Sequence, residues 1–176
     1  MPTWTTPATF STGQLVAASD LNTYVRDNTS YLLNRPLGAI KRDNNADYTT
    51  TSTTFVDIDG TNLAITLTPS GSAILMGFTG MSYWVTAFGP MFDFTIDGVR
   101  YASAGQDGLG QGVLASGTQY ACPITLTALA TGLTPGVAHT VKIQWKTRSG
   151  GTGEVFSGDN TAGQDWIPTL WAVEVG

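Results

Sequence analysis

The sequence predicts a mainly β protein: an antiparallel β-sandwich (jelly roll) preceded by an extended arm and one short α-helix. Three observations carry this. Past Pro36 the apolar residues recur every second position. Turn signals of the Asp-Gly and Pro-x-Gly kind separate those runs. A single stretch near the N-terminus keeps helical spacing instead. The change of period near Arg35-Pro36 divides the chain into residues 1–35, an arm and helix for attachment or oligomerisation, and residues 36–176, the sandwich.

Residues 1–18 carry Pro2, Pro7 and Gly13 among threonines, with Trp4 and Phe10 as isolated large apolar groups. Proline disfavours helix, and nothing alternates well enough for a strand, so the segment reads as an extended arm. Two readings stay open for it: a tail packed on its own domain, or an attachment arm with Trp4 and Phe10 as anchors on a partner. The helix is expected from Asp20 to Asn34, with Ser19 or Asp20 as N-cap and Pro36 as its stop. Ala18, Leu21, Val25, Asn28 and Leu32 follow steps of 3, 4, 3 and 4, the alternation of a coiled-coil seam with one polar layer at Asn28. About two heptads are marginal for an isolated coiled coil. The same pattern also suits a helix lying on its own sandwich.

In the second part, four runs alternate: Leu63, Ile65, Leu67; Phe92, Phe94, Ile96; Ile124, Leu126, Ala128; and Val141, Ile143, Trp145. Each predicts a strand with one face in a core. Further strands are expected at Phe55–Ile58, Ala73–Thr79, Ser82–Ala87, Val99–Ala102, Glu154–Phe156 and Leu170–Val175. Turns fall at Asp59-Gly60, Pro69-Ser70-Gly71, Asp97-Gly98, Thr134-Pro135-Gly136 and Gly150-Gly151. Roughly nine or ten short strands without intervening helices indicate a sandwich or jelly roll. Gly105–Gly117 and Ser157–Gln164 are expected as long exposed loops, where recognition commonly resides.

Composition narrows the function. Charged residues make up only 12% of the 176 and the net charge is −5, which argues against phosphate-dependent binding of nucleic acid. No apolar run approaches the roughly 18–20 residues that span a membrane, so membrane insertion is not expected. The N-terminus has neither the basic start nor the apolar stretch of a secretory signal. The lone Cys122 excludes an intrachain disulfide and any multi-cysteine metal site, and reads as a small buried hydrophobe.

Chemistry finds no home. His139 is the only histidine, and no Gly-x-Ser-x-Gly elbow supplies a nucleophile for it to activate. Glu154 and Glu174 are the only glutamates, and most of the eleven aspartates occupy turn positions rather than opposed pairs. Asp57-Ile58-Asp59-Gly60-Thr61-Asn62 has oxygen ligands at alternate positions but lacks the distal bidentate acid of a calcium loop. Gly108, Gly110 and Gly112 lack the spacing of a dinucleotide fingerprint. No catalytic residue, cofactor site or metal site is therefore expected.

Two stretches resemble a known class. Trp4-Thr5-Thr6-Pro7, Phe10-Ser11-Thr12-Gly13-Gln14-Leu15-Val16 and Ala18-Ser19-Asp20-Leu21-Asn22-Thr23-Tyr24-Val25-Arg26-Asp27-Asn28 closely resemble the opening of many tailed-phage and prophage virion proteins. Gly132-Leu133-Thr134-Pro135-Gly136, leading into His139–Trp145, is similar, more loosely, to a hairpin in jelly-roll modules of phage fibres. The resemblance implies a non-enzymatic virion structural protein of minor-tail, fibre or head-decoration type. It also implies a homotrimer, with other virion proteins bound through the N-terminal arm. The leading expectation is a tail-fibre or tail-tip component that contacts a host surface glycan. The alternatives are a capsid decoration protein stabilising the head lattice, and a lectin or small carbohydrate-active enzyme. Tyr83, Trp84, Tyr101 and Trp166 are the aromatics available for stacking on sugars, although most aromatics of this kind are core.

Overall fold

A computed structural model describes residues 4–84, 89–111, 120–148, 151–158 and 165–175. The protein is mainly β, with two antiparallel six-stranded sheets and one short helical segment. The first sheet is built on β1 (Leu37–Lys41), β5 (Ile74–Trp84), β9 (Tyr120–Ala130) and β12 (Thr169–Glu174), with β2 (Tyr48–Thr50) and β11 (Gly153–Val155) added at one end. The second holds β4 (Ala64–Leu67), β6 (Met91–Ile96), β7 (Val99–Arg100) and β10 (His139–Lys146), with β3 (Val56–Asp57) and β8 (Gly110–Gln111) as short additions. The order β1-β12-β5-β9 against β4-β10-β6-β7 makes the chain cross between sheets at most connections, the arrangement of a jelly roll.

Period-2 alternation builds the core. Phe78 and Met76 of β5, Leu126 of β9 and Leu170 of β12 point inward from one sheet. They meet Phe92 and Phe94 of β6, Val141, Ile143 and Trp145 of β10, and Ile65 of β4 in a single cluster. Phe92 lies between Phe78 and Trp145, with ring centroids 6.3 Å from each. Each such side chain contributes about 1.5–3 kcal/mol on burial. All four alternating runs identified in the sequence face this core, apart from the half-buried Ile96 at its rim.

The two strands expected at Ala73–Thr79 and Ser82–Ala87 form one strand, Ile74–Trp84; residues 85–87 lie outside the described residues. Gly80 does not break it, because β9 pairs with β5 at every position from Ile74↔Ala130 to Trp84↔Tyr120. The short strands β1, β2 and β8 were not expected. Their sequences carry little alternation, and pairing with β12, β11 and β6 recruits them. Only the first part of Gly105–Gly117 and of Ser157–Gln164 lies among the described residues, and Gly150 of the Gly150-Gly151 turn lies outside them.

The Asp97-Gly98 signal is a tight hairpin between β6 and β7, both residues having positive φ (53° and 80°). Beyond β7 the buried Asp93 carboxylate ties the chain down. It accepts hydrogen bonds from Arg100 Nε at 2.8 Å and the Ala102 N–H at 3.2 Å, while the Arg100 guanidinium stacks 3.8 Å from the Phe55 ring centroid. The start of the glycine-rich segment is thereby clamped to the sheet, and the Leu109 N–H completes the clamp on Phe92 O.

Gly77 sits under the Trp171 ring, where an added Cβ would fall among the indole atoms. Gly77→Val is expected to displace Trp171 and lower stability by about 1–3 kcal/mol. Thermal unfolding followed by tryptophan fluorescence checks both effects.

Candidate assembly site

The helix is a continuous run of three segments: Ala18–Leu21, a π-helical stretch Asn22–Asp27, and Asn28–Leu33. Its N-cap is Ala17, not Ser19 or Asp20. Asp20 acts from the first turn instead, its carboxylate accepting the Ala17 N–H at 3.1 Å. Of the helical residues only Asn28 and Tyr31 are buried. The helix spans about 24 Å at ~1.5 Å per residue. It is anchored to the sandwich through its last turn, so its earlier turns stand as a stalk.

The arm doubles back along this stalk. A turn closed by the Gln14 N–H on Ser11 O (3.1 Å), with Gly13 at φ 83°, reverses the chain. Residues 4–10 then run beside the helix and meet it at three places. Phe10 packs edge-on against Tyr24, with centroids 6.2 Å apart, and Trp4 packs against Tyr31 at 6.1 Å. Between them the Asn28 amide clamps the Thr5 backbone: Oδ1 accepts the Thr5 N–H at 2.9 Å, and Nδ2 donates to Thr5 O at 2.7 Å. Tyr24, Asn28 and Tyr31 form the arm-facing side of the helix.

This changes the reading of the seam. Leu21, Val25 and Leu32 remain about half exposed, and Leu33 beside them is 79% exposed. Asn28 was expected as a polar layer within that row. It is instead buried by the chain's own arm, with both ends of its amide occupied. The wider π-helical turn advances less per residue about the axis than an α-turn, which rotates Asn28 off the Leu21–Val25 side. Trp4 and Phe10, read either as anchors on a partner or as part of a tail packed on its own chain, dock on the helix of their own chain. Each keeps 40% or more of its surface exposed.

At the foot of the stalk Tyr31 Oη donates to Glu174 Oε1. The same carboxylate accepts the Gly71 N–H at 2.6 Å and the Ser70 hydroxyl at 3.1 Å. The Glu174 N–H donates to Pro36 O, which fixes where the helix enters β1. Burial pushes the Glu174 carboxyl up, but these donors outweigh it and hold the group below its ordinary value. Trp4, Tyr31, Leu32, Arg35, Ser70 and Gly71 line a half-open pocket of about 290 Å³ at this junction. Tyr24 and Tyr31 were not singled out in the sequence, and Glu174 was noted only as one of two glutamates. The seven-residue spacing of the tyrosines about Asn28 is a visible signal for two of them, whereas Glu174 is brought there by tertiary folding alone.

The residues with chemical potential are distributed elsewhere. His139 is held from both ring nitrogens, by Asp97 Oδ2 at 2.7 Å and Thr134 O at 3.1 Å, and its hydrogen bond to Asp97 raises its pKa. Asp57 engages Lys142 and Gln144. Asp59 accepts the N–H groups of Thr61 and Asn62 and the Tyr48 hydroxyl, and these bonds overcome burial to keep its carboxyl far below the usual range. Glu154 pairs in register with Tyr83 and Glu174 with Ile74, so the two glutamates lie about 30 Å apart along β5 at ~3.3 Å per residue. Among the described residues no cluster of three or more His, Cys, Asp or Glu is arranged for a metal ion, and no helix is long and apolar enough to cross a membrane. Trp84 is core and Tyr83 stacks on Phe156; Tyr101 and Trp166 are exposed.

The fold and site define a β-sandwich carrying an arm-wrapped helical stalk. Compared with known proteins, the chain matches no family model and no curated sequence.

Two outcomes follow from this geometry. Asn28→Leu removes two hydrogen bonds, each worth about 0.5–1.5 kcal/mol. Proteases should then trim the arm faster, with the unfolding midpoint of the sandwich unchanged. The Glu174 latch contributes fully above its ordinary pKa of 4.5 and is lost as pH falls through its lowered folded value. Tyr31 ring resonances should therefore lose their native shifts in acid below that value, and Glu174→Gln should weaken the junction already at neutral pH.

Proposed function

We propose that this chain is a non-enzymatic structural protein of a tailed-phage virion, of tail-fibre or tail-tip type, which assembles as a homotrimer through its stalk. The observation that carries the reading is where apolar surface is left uncovered. Leu21, Val25, Leu32 and Leu33 on the stalk, and Leu37 where the chain enters the sandwich, are all exposed. Soluble chains that stand alone rarely expose so many large apolar residues within one short segment, and this supports the reading that copies or other virion proteins cover it. The sandwich would then face outward, and the aromatics Tyr101 and Trp166 would be candidates for contact with a host glycan. The resemblance of residues 4–28 to the opening of phage virion proteins supports the same assignment. The wide separation of the two glutamates supports a structural role over glycan hydrolysis.

Locating the chain in an intact particle by cryo-electron microscopy tests the assignment. Density at the tail is expected. Density on capsid lattice positions would make it a head decoration protein, and absence from the particle would overturn both. For the stalk, Leu21→Asp or Val25→Asp should lower the native mass while the β-sheet circular dichroism stays intact, because a charge in a covered apolar strip splits the copies without reaching the sandwich core. Unchanged mass in both variants removes the stalk as the assembly element.

A further inference from the structure

Along one edge of β5 the first sheet changes partner at Gly80 and Met81. The β12 ladder ends at Thr169↔Thr79, and the β11 ladder begins at Val155↔Ser82. Trp166 and Ile167, which lead into β12, border a depression of about 220 Å³ over Gly80 and Met81, with Pro123 and Thr125 of β9 on its far side. Trp166 is half exposed, and among the described residues no charged one lines the depression. Register sets Thr169, Thr79 and Thr125 in one row across β12, β5 and β9. Thr79 and Thr125 are exposed, and among the described residues their hydroxyls bond to no other group.

Tyr101, the other exposed aromatic, borders a groove whose polar groups are already engaged. Its hydroxyl donates to Leu129 O at 3.0 Å, Asp97 holds His139 and the Thr140 N–H, and Arg100 bonds Asp93 and Gln106 O. We propose that the Trp166 depression, and not the Tyr101 groove, binds one neutral pyranose ring of a glycan. The exposed indole supplies apolar surface for the C–H face of the ring. The open hydroxyls of Thr79 and Thr125 can each donate and accept, as sugar hydroxyls require. With no charge in the lining, nothing pairs with a carboxylate or phosphate, which selects neutral sugars over acidic ones. At about 220 Å³ the depression lies below the ~300 Å³ at which sites for drug-sized ligands begin, so it takes a single ring. The inference rests on the glycan-contact reading above and is independent of the stalk.

The test applies the full chain to an array of neutral and sialylated oligosaccharides and follows each hit by titration calorimetry. Saturable binding of a neutral glycan is expected. Trp166→Ala should weaken it about tenfold and Thr79→Val or Thr125→Val severalfold, with Tyr101→Ala leaving the affinity unchanged. Unfolding midpoints measured alongside separate a lost contact from a lost fold, and the isosteric Thr79→Val and Thr125→Val carry the test should Trp166→Ala not fold. Binding that falls with Tyr101→Ala and survives Trp166→Ala overturns this inference and keeps the glycan-contact reading. A preference for sialylated glycans overturns the neutral assignment. A native mass that falls in Trp166→Ala, with glycan binding intact, makes the depression a contact between copies and overturns the inference. Absence of binding to every glycan on the array overturns both this inference and the glycan-contact reading.

Discussion

The unbroken alternation of β5 is the constraint on which the rest of the structure depends. Its eleven residues pair with β9 along one edge and with β12 and β11 along the other. Ile74, Met76, Phe78, Ser82 and Trp84 all face inward and are buried. A slip of one residue would turn Phe78 and Trp84 to solvent and bring Thr79 and Tyr83 into the core, so the register of the whole sheet is locked by this strand. The second sheet is positioned by the same side chains, since Phe92 packs against Phe78 and Trp145 against Phe92. Because both layers depend on one strand, the end of β5 at Ile74 also decides where Glu174 and Ala130 lie.

From that end the stalk is set. Glu174 is a buried carboxylate in a mainly apolar neighbourhood, tolerated because a tyrosine hydroxyl, a serine hydroxyl and a backbone N–H all donate to it. Tyr31 cannot satisfy it without fixing the last helical turn, so an electrostatic requirement of the sandwich orients the helix. The arm is then held by the helix through Asn28, whose amide matches both the donor and the acceptor of the Thr5 peptide. Sandwich, stalk and arm are therefore coupled in series, each ordering the next, while the Leu21–Val25 side stays exposed.

How much of this was legible in the sequence differs by element. The runs ending at Leu67, Ile96, Ala128 and Trp145 were readable because half-buried strands impose a period of two on their own residues. The Asp97-Gly98 hairpin was readable because few residue pairs accept two successive positive φ angles. Leu37–Lys41 and Tyr48–Thr50 were not, since a strand of three to five residues at a sheet edge takes its conformation from its partner. Asn28 was recognised as exceptional on an apolar helix, but its partner was misassigned. The heptad spacing presumed an α-helical turn, and the π-helical stretch at Asn22–Asp27 moved it round the axis.

By itself the sequence determined the class of fold and the residues that alternate into the core, because these follow from local periodicity and turn chemistry. Only the tertiary structure decided that Glu174 meets Tyr31 across 143 residues of chain. It likewise decided that the arm closes on its own helix, and that Thr169, Thr79 and Thr125 stand in one row across three strands. Those relations are set by strand register and by the pairing of buried polar groups, neither of which leaves a periodic mark on the residues involved.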